Sequence, residues 1–299
     1  MSPQLRDLVQ LLADGRAPEG LRRWLGGGSL MGIGKPGVSL EADARPIVMG
    51  ETFRKLVFKV KLRADLAQVR DHLQPHQLAV GTPAGVEAVI HSTRRWLKQA
   101  ARDNSAVLLQ RDVANAFNTA LPSQFLLDCR EHMPASAKFA EYCYGRETAL
   151  VYRGRLEASS RGQQGCPAMG PLFCLMRARM STQAQQLAGA APAFSPEFAD
   201  DSYCGGRWDA GLAVFKQEIE LAQAYGLQFD MRKCRLHIPA GDAFEGDASE
   251  FARLGVTVSW GADVEMLRAP VAGSAAFVDA PPASARRQSW NKRSPRSPA

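Results

Sequence analysis

The chain has 299 residues, 45% of them apolar, enough to enclose a core in one large domain or two modest ones. Its 37 Lys and Arg outnumber 30 Asp and Glu, but Arg286, Arg287, Lys292, Arg293 and Arg296 all follow Pro281, so basicity is mainly a property of the tail. No apolar run approaches the ~20 residues that cross a bilayer, "MSPQLRD" is no signal peptide, and six cysteines without CxxC or zinc-ligand spacing speak against a disulfide or zinc scaffold. A nuclear or cytoplasmic protein with reduced thiols, not secreted and without a membrane segment, is expected.

In chain order, "SPQLRDLVQLLADG" predicts a helix capped by Ser2, with Pro3 in its first turn and Gly15 as its stop. "SLMGIGKPGVSLEADARPIVM" alternates between glycines and prolines as a hairpin from about Leu30 to Val48 would. Two long helical patterns follow, "GETFRKLVFKVKLRADLAQVRDHL" and "TPAGVEAVIHSTRRWLKQAARD", the second opened by Thr82 and Pro83. "SAVLLQRDV" reads as a buried strand that delivers Asp112 at its end. "PSQFLLDCREHM" restarts a helix, "TALVYRGRLEAS" is a hairpin around Arg153 to Arg155, and "MGPLFCLMRARMSTQAQQLAG" is a helix after the loop "SSRGQQGCP". Past "FADD", the segment "WDAGLAVFKQEIELAQAYG" is helical, and "RLHI" and "ARLGVTV" are short strands. Helices and strands do not alternate strictly, which favours α+β over a doubly wound sheet. Beyond about Ala272 the Ala, Pro, Ser and Arg composition predicts a disordered basic tail.

The carboxylates form the sharpest pattern. Asp112 closes one strand, Asp200 and Asp201 sit at a strand-to-strand turn, and adjacent strands lie ~4.8 Å apart, so neighbouring central strands would gather all three acids. Two magnesium ions ~3.5–4 Å apart are one way to hold acids so close, and they serve phosphoryl transfer. Taken alone, the dipeptide reads more readily as a turn pair whose side chains bond their own backbone. The order of the other motifs changes that balance.

"KPGVSLEADARPIVMGETFRKL", "QLAVGTPAGVEAVIHSTRRWL", "RDVANAFNTA", "RGQQGCPAMGPLFCLM", "FADD" and "GLQFDMRKCRL", with "LGVTV" after them, resemble in this sequential order the fingers and palm motifs of non-LTR retrotransposon reverse transcriptases, over roughly residues 1–270. The resemblance implies an α+β right-hand polymerase with a four-stranded antiparallel palm sheet backed by helices. It places fingers and the start of the palm in 1–105, the catalytic palm in 106–270 and the tail in 271–299. It implies RNA template, DNA primer and deoxynucleoside triphosphates as partners, and two magnesium ions, with manganese as an alternative, on Asp112 and Asp200, with Asp201 and the Val113 carbonyl beside them. Arg45 and Lys35 would meet the triphosphate, Gln164 and Gly165 would line the nucleotide pocket, Phe117 would lie under the sugar, and Lys233 would donate a proton to pyrophosphate. Cys166 stands where relatives commonly carry Asp, and Arg111 where an apolar residue is usual. Little chain follows Val258 to form a thumb, so an inert nucleic-acid-binding or maturase-like remnant is the alternative to the enzyme. RNA synthesis on RNA is a further alternative, against which Phe117 argues.

Two other features carry less. The glycines of "LGGGSLMGIGKPG" match neither the Walker nor the dinucleotide fingerprint. Arg94, Arg95 and Lys98 around Trp96 are either a nucleic-acid track or, more commonly, a solvated helix face.

Overall fold

The computed structural model describes residues 3–34, 44–261 and 263–272. Lys35 and the tail after Ala272 lie outside the described residues. The first helix, α1 (Pro3–Ala13), begins at its proline and is followed by α2 (Glu19–Leu25), which the sequence pattern did not suggest. Strands β1 (Gly28–Gly34) and β2 (Ala44–Gly50) pair antiparallel, Ile33 opposite Arg45, as the predicted hairpin requires. Next come the two long helices, α3 (Thr52–Leu73) and α4 (Gly85–Ala100). The second starts later than Thr82 and Pro83 suggest, because Ala84 takes a left-handed conformation and Gly85 packs on the Leu78 carbonyl, 2.1 Å from where a Cβ would stand.

Strand β3 (Ala106–Arg111) is followed by the short α5 (Ala116–Thr119), α6 (Pro122–His132) and α7 (Pro134–Tyr144). The predicted hairpin forms as β4 (Thr148–Tyr152) and β5 (Arg155–Ser159), turning at Arg153 and Gly154. This hairpin joins the N-terminal one: β1 runs parallel to β4, giving the sheet order β2-β1-β4-β5. Helix α8 (Met169–Ala188) leads to β6 (Glu197–Phe198) and β7 (Asp201–Arg207), and α9 (Trp208–Ala222) to β8 (Arg235–Ile238). The last elements are α10 (Ser249–Arg253), β9 (Thr257–Trp260) and the hairpin of β10 (Val264–Met266) and β11 (Ala269–Ala272).

The central sheet has five strands, β6-β7-β3-β8-β9, rather than four. It is antiparallel except that β9 enters parallel to β8. A parallel neighbour needs a crossover of a dozen or more residues, and 239–256 supply it. For the same reason "ARLGVTV" is not one strand, since Ala252 and Arg253 end α10, whose Phe251 is fully buried.

Strand β3 sits in the middle and is buried on both faces, so its apolar residues alternate between two cores. Val107 and Leu109 join Phe58, Phe125, Phe139, Phe173 and Phe215 from the large helices. Leu108 joins Val89 and Leu97 of α4, Tyr203 of β7, and Val264, Met266 and Val271 of the last hairpin. Each fully buried leucine of this strand contributes about 1.5–3 kcal/mol. Those two cores fix β3 in depth and register, and so fix where Asp112 emerges.

Candidate active site

Asp112 follows β3 directly and its neighbours are tied across the sheet. Its carbonyl accepts from Asp230 N–H at 2.9 Å, Ala114 N–H donates to the Gln228 carbonyl at 2.8 Å, and Val113 bridges to Phe229. Strand β7 pairs antiparallel with β3 on the other side, Arg111 opposite Ser202, which brings Asp201 alongside the end of β3. The predicted meeting of the acids at adjacent strand ends is present.

Asp200 occupies a two-residue turn between Phe198 and its partner Asp201, with Ala199 left-handed at φ 57°. Gln77, almost fully buried, holds that turn from both sides: its Oε1 accepts from Ala199 N–H at 2.9 Å and its Nε2 donates to the Ala199 carbonyl at 3.0 Å. Nothing in the local pattern around Gln77 signals this clamp, because its partner lies over a hundred residues away.

The three acids line one cleft of about 800 Å³ with Arg45, Val113, Phe117, Gln164 and Lys233. Asp200 keeps solvent access, but burial between the cleft walls, with help from the Asp112 charge, raises its pKa above the usual carboxylate value, against the pull of Arg45. Burial, followed by the charges of Asp200 and Asp112, pushes Asp201 up to about 6, with Arg268 opposing. Lys233 Nζ lies 3.3 Å from Asp112 Oδ1 and 3.0 Å from Asp230 Oδ2. Partial burial works against its charge, yet the hydrogen bond it donates to Asp230 and the attraction of Asp112 prevail, and its pKa is raised. The carboxylates share the cleft without forming a ready-made cation cage: among the described residues no group of three or more His, Cys, Asp or Glu side chains is disposed to hold a metal ion. Their oxygen donors suit a hard divalent cation, and the crowding that raises two of their pKa values is what a bound cation relieves.

Gln164 lines the cleft, whereas Gly165 beside it does not. Gln164 N–H donates to Asn118 Oδ1 at 2.9 Å, and Asn118 Nδ2 donates to the Pro46 carbonyl at 3.0 Å, so one asparagine links this loop to β2. The Gln164 carbonyl accepts from Val48 N–H at 2.7 Å. Gly165, expected to admit a ligand, instead admits β2: at φ 109° its Cβ would stand 2.4 Å from the Val48 carbonyl oxygen. Phe117 lines the cleft and sets its ring edge-on to Phe173 at 5.0 Å.

The far wall was not legible. Asp263, Glu265 and Arg268 reach the cleft from the β10–β11 hairpin, whose two strands are too short to show a period. Arg235 and His237 project into it from β8. Both His237 ring nitrogens are buried without partners, and burial, then the Arg235 charge, lowers its pKa to about 4. In the basic stretch on α4, Trp96 stacks on Phe194 at 5.4 Å and Arg94 donates to the Pro270 carbonyl at 2.7 Å, tying α4 to β11, while Arg95 and Lys98 are exposed.

No protein-family model and no curated protein matches the chain. Solved structures do. The chain is similar to the telomerase of Candida albicans, in complex with a TWJ fragment of telomeric RNA, at TM-score 0.56 and 12% identity, over 86% of this chain and 45% of that one. It is similar to the apo telomerase of Candida tropicalis, truncated from its C-terminal domain, at TM-score 0.51 and 10% identity, over 70% of this chain and 49% of that one. The fold is reverse-transcriptase-like. The chain spans about half the length of these neighbours. In that fold β3 and β7 lie side by side in the five-stranded sheet, and no helix among the described residues is long and apolar enough to cross a membrane.

Proposed function

We propose that this chain catalyses RNA-directed DNA synthesis of the non-LTR retrotransposon type, adding deoxynucleotides to a primer 3′ hydroxyl. The observation that carries the reading is the β3–β7 pairing, which sets Asp112, Asp200 and Asp201 together in one cleft inside a reverse-transcriptase-like fold. Asp112 and Asp200, with Asp201 and the Val113 carbonyl beside them, would hold two magnesium ions, or manganese. Bound there, the metal pair supplies Lewis-acid activation of the attacking hydroxyl and stabilisation of the leaving oxygen. Arg45, which lines the same cleft, would orient the triphosphate through paired N–H donors, which Lys35 would assist. Phe117 would close the floor beneath the sugar and exclude a 2′ hydroxyl. Lys233, kept protonated by Asp230 and Asp112, would hand a proton to departing pyrophosphate.

Primer extension on poly(rA)/oligo(dT) with magnesium tests this, comparing wild type with Asp200→Asn. Asparagine keeps the shape and removes the charge, so extension is expected to vanish while the thermal unfolding transition stays cooperative. Extension at an unaltered rate in Asp200→Asn would overturn the reading.

A further inference from the structure

A second charged site lies behind the Gln164 wall. Arg54 of α3 is 1% exposed, yet its guanidinium is paired with no carboxylate among the described residues. One nitrogen, Nη1, is well satisfied, donating to the Gly26 carbonyl and to Gln163 Oε1, each at 2.6 Å. The other two, Nε and Nη2, have no hydrogen-bond partner, and neither has the buried hydroxyl of Tyr144, whose ring lies 4.9 Å from the Arg54 guanidinium carbon. An unpaired buried cation with two idle donors is costly, and such charges are normally matched.

The side chain that interacts with both Arg54 and Tyr144 is the thiol of Cys166, half-buried at the edge of the core. Sulfur is a weak hydrogen-bond acceptor, so these contacts leave the donors under-used. Neither of the other acidic groups nearby supplies the missing charge. Burial pushes the Cys143 thiol up to about 12 and the Tyr144 phenol upward, so both stay neutral. The Arg54 guanidinium and the Tyr144 hydroxyl, whose donors stay idle, thus both lie near a thiol where an anionic oxygen acid would satisfy them.

We propose that Cys166 is an oxidation site whose sulfinate form is bound and stabilised by Arg54 and Tyr144. The oxidant is a peroxide. In the first step the Cys166 sulfur attacks one peroxide oxygen, the O–O bond breaks, the thiol is oxidised to sulfenic acid and the peroxide is reduced to water. A second peroxide converts the sulfenic acid to sulfinic acid and a second water is released. The sulfinic acid ionises, its proton passing to solvent, and its two oxygens accept from Arg54 and from the Tyr144 hydroxyl. The other five cysteines are all buried, so Cys166 is the one most open to a peroxide.

The test uses the full chain treated with graded hydrogen peroxide, mapped by peptide mass spectrometry and followed by thermal unfolding. Cys166 is expected to gain two oxygens before any other cysteine, and the singly modified protein to melt about 2–4 °C higher than the untreated one, where damage to an ordinary surface thiol gives no gain. A Cys166→Asp and Cys166→Asn pair repeats the comparison without oxidant: the two side chains match in size, and only the carboxylate neutralises Arg54. Asp is expected to melt about 2–4 °C above Asn. A modified protein that melts no higher than the unmodified one, or an Asn variant as stable as the Asp variant, would overturn the proposal.

Discussion

Arg111 and Asp112 are consecutive residues that face two opposite kinds of charge cluster. Beneath the sheet, Arg111 donates to both carboxylate oxygens of Glu218 at 2.6 and 2.7 Å, Arg177 donates to the same carboxylate at 3.0 Å, and Glu197 lies 3.6 Å from Arg111. Two cations meet two anions there, with the Ser181 hydroxyl added at 3.2 Å. The cation that the sequence places unexpectedly before the first acid is therefore matched. Above the sheet, Asp112, Asp200 and Asp201 crowd like charges into the cleft, with Lys233 close to Asp112. The pKa values record the contrast: Glu218 falls to about 2, burial being outweighed by Arg111 and Arg177, whereas Asp201 rises to about 6. One face of β3 uses charge for stability; the other holds charge at a cost in stability, as a site poised for a cationic ligand does.

The largest effect that would break this contrast is on the matched side. Glu218→Gln removes the anion and leaves two guanidinium groups buried, which is expected to cost about 3–5 kcal/mol. Urea unfolding measures it, and a loss below about 1 kcal/mol would mean the network is hydrated. Because the Glu218 pKa in the folded state is depressed, its contribution is complete above the ordinary glutamate value of 4.5 and is lost as pH falls toward about 2.

Next in size is the clamp on the turn that carries Asp200. Gln77→Ala strips both hydrogen bonds from Ala199 and one from Ala79 N–H, with an expected loss of about 1–3 kcal/mol. If the turn positions Asp200 for catalysis, primer extension falls with it; a variant that keeps full extension would show that the turn holds its shape unaided.

The crowded side carries the opposite sign. Asp201→Asn is expected to stabilise the protein by about 1 kcal/mol at pH 7, a figure discounted for the solvent that partly screens this group. The folded-state pKa is raised, so the ionised form weighs against folding above about 6, and the difference between variant and wild type should shrink as pH falls from 6 and vanish below the ordinary value of 3.8. Urea titrations of both proteins across that range check it, and a gain that persists at the acid end would point to packing instead of charge.

How far these two faces could be read in advance follows from the range of each signal. The acids, Arg45, Phe117, Gln164 and Lys233 were legible because each belongs to a short ordered motif, and the structure brings all of them to one cleft. Strand β3 and the long helices announced themselves by apolar spacing. Helix α7 did not, although Pro134 opens it, because its cap comes from elsewhere: Asp65 of α3 accepts from Ala135 and Ser136 N–H groups, each at 2.9 Å. The Gln77 clamp and the β10–β11 wall were hidden for the same reason. Their partners are distant in sequence, and a short strand or a lone glutamine carries no periodicity.

The smallest effect tests the geometry of the turn itself. Ala199 sits left-handed between Phe198 and Asp200, a conformation that costs an L-residue with a Cβ about 1–2 kcal/mol and costs glycine nothing. Two-residue hairpin turns of this kind favour glycine at that first position. Ala199→Gly therefore relieves the strain in the folded state, while the added freedom of glycine in the unfolded chain removes about 0.4–1 kcal/mol of the gain. The net expectation is a gain of about 0 to 1.6 kcal/mol over wild type. Ala199→Val, whose branched Cβ suits this region worst, is expected to lose more than about 1 kcal/mol. Chemical unfolding of the pair gives the answer. A glycine variant that loses as much as the valine variant would mean that the turn is not left-handed at Ala199, and that Gln77 holds Asp200 through some other backbone path.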